Sequence, residues 1–149
     1  VDRAALARIV FADEDKRRRL EELMHPAIRR QELELVEARA PGTDIAVTEA
    51  ALLVESDGFR RYDRLVVVTA PVPARIERLR ARGMKPAEAR RRMGAQMAER
   101  LKVAVADYVI DNSGSLAATR SQVADLHTAL MQDLAALRRG DELPPPRGR

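Results

Sequence analysis

Apolar side chains recur every three to four positions in two long stretches of the chain and cluster with little polar interruption in three short ones. Behind Asp13, Leu20, Leu23, Met24 and Ile28 share one helical face, and Leu33 to Ala38 prolongs it. His25-Pro26 interrupts this face. Proline is tolerated in a first helical turn but not in a helix interior, so the expectation is a kink or two helices meeting there. Ala40-Pro41-Gly42-Thr43 ends the stretch. Ile45–Thr48 reads as a buried strand that runs into a small apolar turn, and Ser56-Asp57-Gly58 reads as a loop. Arg64–Ala70, with three consecutive valines, is the clearest strand and suits a sheet covered on both faces. Pro73 opens a helix to Arg82, Gly83 breaks it, and Pro86 opens another that runs to about Ala104. Tyr108–Asp111 is the last strand. Ser115 is placed to cap the last helix, whose stripe of Leu116, Val123, Leu126, Leu130, Leu134 and Leu137 is expected to be buried. Short strands alternating with helices predict an α/β fold, a parallel sheet with flanking helices.

Composition narrows the chemistry. The 149 residues fit one domain, and with two Phe, two Tyr and no Trp its core is aliphatic. Arg outnumbers Lys by 24 to 3, so a single arginine carries little information by itself. The net charge of +4 leans toward phosphate esters, nucleotides or nucleic acid as partners. Nucleic acid is the weakest of these, because stacking aromatics are scarce and no nucleic-acid motif occurs. The absence of Cys excludes thiolate chemistry and Cys-ligated zinc, and His25 and His127 are too far apart in sequence to suggest a histidine metal site. No stretch approaches the ~20 apolar residues of a membrane span, so the expectation is a cytoplasmic protein with no membrane partner. The chain starts at Val1 rather than Met, as an interior piece of a longer protein would. Gly140–Arg149 is expected to be a disordered tail.

Four places stand out as candidate chemistry. Arg75, Arg78 and Arg82 fall on one helix face, and Arg92 and Gln96 on the next, with Arg80, Arg90 and Arg91 nearby. Two basic faces around Gly83 form either a lid that closes over phosphates or a solvated surface in an arginine-biased chain. Asp111-Asn112-Ser113-Gly114-Ser115 ends a strand where open α/β sheets bind ligands; it is either the wall of a purine site or an ordinary turn with a serine cap. His25 is either a ligand to phosphate or ribose or a helix-end histidine. Asp44, Glu49 and Glu55 flank the first strand, and Glu49 is a weak candidate for a Mg²⁺ shell. No G-x-x-x-x-G-K-[ST] phosphate loop occurs anywhere in the 149 residues.

Six segments in order resemble the dephospho-coenzyme A kinase family: DRAALARIVFAD (2–13), LEELMHPAIR (20–29), VTEAALLVES (47–56), YDRLVVVTAP (62–71), RIERLRARGMKPAEARRRMGAQM (75–97) and ADYVIDNSGS (106–115). Three positions depart from the family's pattern: Glu49 for its Asp, Ala51 for its Pro and Val54 for its Phe. The resemblance implies a P-loop kinase fold without its first strand and phosphate loop, spanning residues 1–139. About 2–40 would be the helical acceptor-substrate region and about 75–104 the lid. It implies transfer of the γ-phosphate of ATP, with Mg²⁺, to the 3′-hydroxyl of dephospho-coenzyme A. Arg82, Arg92, Asn112 and Gly114 become ATP contacts, and His25 and Arg3 acceptor contacts. The general base and the phosphate-loop lysine are expected upstream of Val1, so no catalytic residue is assigned here and the chain alone is expected to be inactive. The alternative is a degenerate, non-catalytic nucleotide-binding or interaction module. In the resembled fold a further strand separates 45–48 from 64–70, so a chain without it is expected to be helical but to melt with poor cooperativity.

Overall fold

The computed structural model describes residues 2, 5–6, 9–10, 13–39 and 45–144. They divide after Val47 into two compact units.

The first unit is dominated by helix α1, Glu14–Arg39. Asp13 starts it: its carboxylate accepts the Lys16 amide at 3.1 Å and its carbonyl accepts the Arg17 amide at 3.1 Å. The Lys16 amide, the Lys16 ammonium and the Asp15 amide hold the Asp13 carboxyl below its ordinary value. Glu14 and Asp15 place negative charge against the positive helix end. The break expected at His25-Pro26 does not occur, and α1 continues through Pro26. Pro26 forfeits one N–H bond, while the Leu-, Arg- and Glu-rich turns on both sides favour helix strongly enough to span it. No α1 side chain is buried, and Leu23 is 62% exposed.

The strand expected at Ile45–Thr48 is also not formed. Residues 45–50 have no regular secondary structure, and Val47 is 84% exposed. An apolar run becomes a strand only beside a neighbour that takes its amides and carbonyls. Among the described residues the sheet has two strands, both later in the chain.

Those strands belong to the second unit. Strand β1 (Val66–Thr69) and strand β2 (Tyr108–Asp111) pair in parallel, Val66 opposite Tyr108 and Thr69 opposite Asp111. Parallel strands need a long crossover. Here it is helical: α2 (Val72–Ala81), α3 (Pro86–Gly94) and α4 (Glu99–Val105). Helix α5 (Leu116–Arg138) follows β2. The core is small: Val54, Phe59, Leu65, Val67 and Ala106, with Leu53, Met97, Val103 and Val105 packed against it. It joins the 53–59 segment, β1 and α4. At the entry to the sheet the Leu65 amide donates to Asp107 Oδ2 at 2.7 Å, and Arg64 pairs with Asp133 of α5 at 2.7 Å. Burial alone would lower the affinity of Arg64 for its proton; the hydrogen bond and charge of Asp133 outweigh it and raise it. Arg64 Nη1 also donates to Pro144 O at 3.3 Å, so the start of the expected tail touches the sheet entry; 145–149 lie outside the described residues.

Two further expectations change. The single helix expected from Pro86 to Ala104 is two, because residues 95–98 leave the helical path and the Met97 amide is taken by Glu55 Oε1 at 3.1 Å. The stripe of α5 is half-buried only in its middle, and Leu116 is 64% exposed. The geometry explains this: a 23-residue helix is ~35 Å long, whereas a four-residue strand covers only ~13 Å.

Candidate functional site

At the carboxyl end of β1 a crevice of about 390 Å³ opens between the sheet and the helical crossover. Val67 and Val68 form its floor, and Arg75, Arg90, Gln96 and Lys102 supply much of its polar lining. Val68 faces out and is 58% exposed. Arg75 sits one turn into α2, which Pro73 helps to start, and pairs with Glu99 at the head of α4 at 3.2 Å. Its Nε is buried with no partner among the described residues. A guanidinium N–H left without an acceptor costs energy until something accepts from it.

The far wall of the crossover is fixed from below. Lys102 Nζ lies 2.6 Å from Glu55 Oε1 and donates to Ala51 O at 3.4 Å. Burial by itself pushes the Glu55 carboxyl up. The Lys102 hydrogen bond, the amides of Glu55 and Met97 and the ammonium charge overcome this and hold it below its ordinary value. Glu55 thus ties the turn after α3 to the 51–57 segment. Its Oε2 is buried with no partner among the described residues. At the other end of α3, Gly83 takes φ +85°, a left-handed conformation that suits glycine and ends α2. Ala89, fully buried, seats α3.

The strand-end loop 112–115 stands beside the end of β1. The Asn112 amide donates to Thr69 O at 2.8 Å, and Arg78 Nη2 of α2 donates to Asn112 O at 2.9 Å. Asn112 Oδ1 accepts from Thr119 Oγ1 at 3.1 Å. The Asp111 carboxylate accepts both the amide and the hydroxyl of Ser113, each at 2.9 Å. Ser115 caps α5 as expected, its Oγ accepting the Ala118 amide at 3.2 Å.

The arginines expected to act together are therefore dispersed. Arg75 and Arg90 line the crevice, Arg78 is committed to the loop, and Arg80 pairs with Glu77 at 2.9 Å. Arg82 is the exposed C-cap of α2, and Arg92 pairs with Glu88; neither lines the crevice. Asn112 and Gly114 lie in the loop, where a Cβ on Gly114 would meet only the Ala118 Cβ at 3.8 Å. His25 is half-buried in α1, in the first unit, as Glu49 is exposed in the second. Arg3 and Asp44 lie outside the described residues. Among the described residues no group of three or more His, Cys, Asp or Glu side chains converges to hold a metal ion, and no helix is long and apolar enough to cross a membrane. Sequence reasoning names Glu55 only as a carboxylate flanking the first strand, and it misses Lys102, Thr119 and Gln122. The available signals are a lone Glu behind Leu-Leu-Val and polar residues at 115, 119 and 122 at the head of a helix that carries an apolar stripe.

A family model described as Dephospho-CoA kinase matches residues 1–118. A dephospho-CoA kinase of Aquifex aeolicus is 43% identical over 133 residues, which are 89% of this chain and 67% of that protein. Among solved structures, one titled "Crystal structure of TT1252 from Thermus thermophilus" superposes with a TM-score of 0.76 at 34% identity, covering 87% of this chain and 67% of that one. The dephospho-CoA kinase from Campylobacter jejuni gives 0.62 at 25% identity, covering 89% and 67%. The chain thus spans about two thirds of the length of each, and its parallel sheet with flanking helices is theirs. The chain belongs to the dephospho-CoA kinase family.

Proposed function

We propose that this chain supplies the lid and acceptor-side portion of an enzyme that transfers the γ-phosphate of ATP to the 3′-hydroxyl of dephospho-coenzyme A. The observation that carries this reading is the buried Arg75 Nε with no partner among the described residues, in a crevice that also holds Arg90 and Lys102, on a chain of this family. A phosphate oxygen entering there would accept from Nε. The two flanking cations would offset charge spread over the transferring group, which is most of what phosphoryl transfer asks of a protein. Asn112 and Gly114 face the base side of ATP. Arg82 and Arg92, exposed on the lid, reach the phosphates on closure, and His25 and Arg3 serve the acceptor. The described acidic residues do not converge on a metal, so Mg²⁺ comes with the ATP phosphates.

No phosphate-loop sequence occurs in the 149 residues, so nothing in them replaces its backbone amides and lysine. These residues taken alone are therefore expected to bind ATP and dephospho-coenzyme A weakly and to show no turnover. The same residues behind a phosphate-loop strand supplied ahead of Val1 are expected to form ADP only when dephospho-coenzyme A is present. Turnover by the 149 residues alone would overturn the dependence on an upstream loop. An extended chain that binds ATP but never phosphorylates the acceptor would overturn the kinase reading in favour of a nucleotide-binding module.

A further inference from the structure

We propose that Gln122, seconded by Arg78, is a positioning residue that holds the 111–115 loop in the conformation that receives the base of ATP; this rests on the reading of Asn112 and Gly114 as ATP contacts. Neighbouring residues of a strand direct their backbone groups to opposite edges. Asn112 N–H goes to Thr69 O and Ile110 O accepts the Thr69 hydroxyl, so the backbone groups of Asp111 face the other edge of β2. Gln122 stands at that edge. Its Oε1 accepts the Asp111 amide at 2.8 Å and its Nε2 donates to Asp111 O at 2.9 Å. One side-chain amide thus makes the pair of bonds that a third strand would make, at the residue where the loop begins.

The next residue is held from three directions. Asn112 is bound through its amide by β1, through its carbonyl by Arg78 of α2 and through Oδ1 by Thr119 of α5. With Oδ1 committed, its Nδ2 is left as a donor with no partner among the described residues, in an orientation fixed by Thr119. A fixed donor suits an acceptor nitrogen of a purine ring. Preordering matters because a loop that samples the competent conformation only part of the time weakens binding by that fraction. Gln122 touches no ligand in this scheme. It acts through the backbone of Asp111, one turn of α5 beyond Thr119, which orients the amide.

The test uses the full 149-residue chain. Gln122→Met keeps the length of the side chain and the helix but makes neither bond. If it reduces the competent fraction of the loop tenfold, the dissociation constant for ATP rises about tenfold, with dephospho-coenzyme A affinity unchanged. Hydrogen exchange should quicken at Asp111, Asn112 and Ser113 and stay as in the wild type over Leu126–Leu137. Arg78→Ala should weaken ATP binding about threefold, by the same loss of competent fraction, and Arg78→Lys, which keeps a donor for Asn112 O, should restore much of it. ATP binding by Gln122→Met equal to that of the wild type overturns the proposal, as does a parallel loss of both ligands with faster exchange along all of α5. A wild-type chain that does not bind ATP overturns the ATP-site reading itself, and the proposal with it, and is told apart by needing no variant.

Discussion

The strand-end loop at 111–115, which stands beside the end of β1, and the segment at 83–98, which lines the crevice, are held in opposite ways. The loop is bound from three elements: by Thr69 of β1, by Arg78 of α2, and by Thr119 and Gln122 of α5. Within the 83–98 segment Arg92 pairs with Glu88 of the same helix, as Arg80 pairs with Glu77 within the preceding α2. The far end of the segment is pinned where Glu55 takes the Met97 amide and the Lys102 ammonium, and the buried Ala89 seats α3. A wall cross-braced by distant elements can present a ligand group in one orientation before the ligand arrives. A wall fastened at fewer points keeps surface charges that can serve a ligand without disturbing the fold.

The clasp is where this contrast breaks most readily. Lys102→Ala leaves the half-buried Glu55 carboxylate without its cation and is expected to cost about 2 kcal/mol in denaturant unfolding of the second unit. Lys102→Met with Glu55→Gln should recover part of that loss, because no buried charge is then left alone. On the loop side, Ser115→Ala removes the cap of α5 and is expected to cost about 1 kcal/mol. If Ser115→Ala costs more than Lys102→Ala, the clasp is not the stronger tie and the comparison is reversed.

The clasp also carries a pH signature. The folded Glu55 carboxyl lies below its ordinary value of 4.5, so below that value the unfolded chain binds more protons than the folded one. The stability it contributes is therefore complete above about pH 4.5 and lost as the pH falls through the lower folded value. Glu55→Gln should flatten the stability curve in that acid window. Glu77 is lowered by Arg80 in the same direction, but both are solvent-exposed, so Glu77→Gln should change the curve little. A curve that stays as steep in Glu55→Gln as in the wild type would place the acid sensitivity elsewhere.

How far the sequence foretold these walls depends on the range of the interaction concerned. The valines of β1, the prolines that start α2 and α3, Gly83 and the Ser115 cap are local signals, and each is where the periodicity placed it. The Asp-Asn-Ser-Gly-Ser run marked the loop. The interruption of the Pro86–Ala104 helix was not legible, because Glu55 captures the Met97 amide from 42 positions away. The strand expected at 45–48 has the composition of a strand but, among the described residues, no neighbouring strand to bond. Helical spacing put Arg75, Arg78 and Arg82 on one face. It could not tell that Arg75 would turn to the crevice and Arg78 to Asn112, since that depends on where α4 and β2 meet α2. Nothing local marks Gln122, because its partner is the backbone of Asp111 eleven positions away.

The smallest expected change in stability carries the sharpest test of the lid. Arg92 is 62% exposed and its partner Glu88 lies one turn away on the same helix. Exposed pairs of this kind contribute little, so Arg92→Ala should shift stability by no more than about 0.5 kcal/mol. In the chain extended by a phosphate-loop strand it should nevertheless lower kcat more than it weakens ATP binding, because a lid arginine acts where charge develops on the transferring phosphoryl group. The same substitution at Arg78 should do the reverse, raising KM for ATP with little change in kcat, since Arg78 serves the loop. If Arg92→Ala raises KM alone and Arg78→Ala lowers kcat alone, the roles assigned to the two walls are exchanged. If both act on KM alone, the lid contributes binding only and the charge stabilisation falls to the crevice residues Arg75, Arg90 and Lys102.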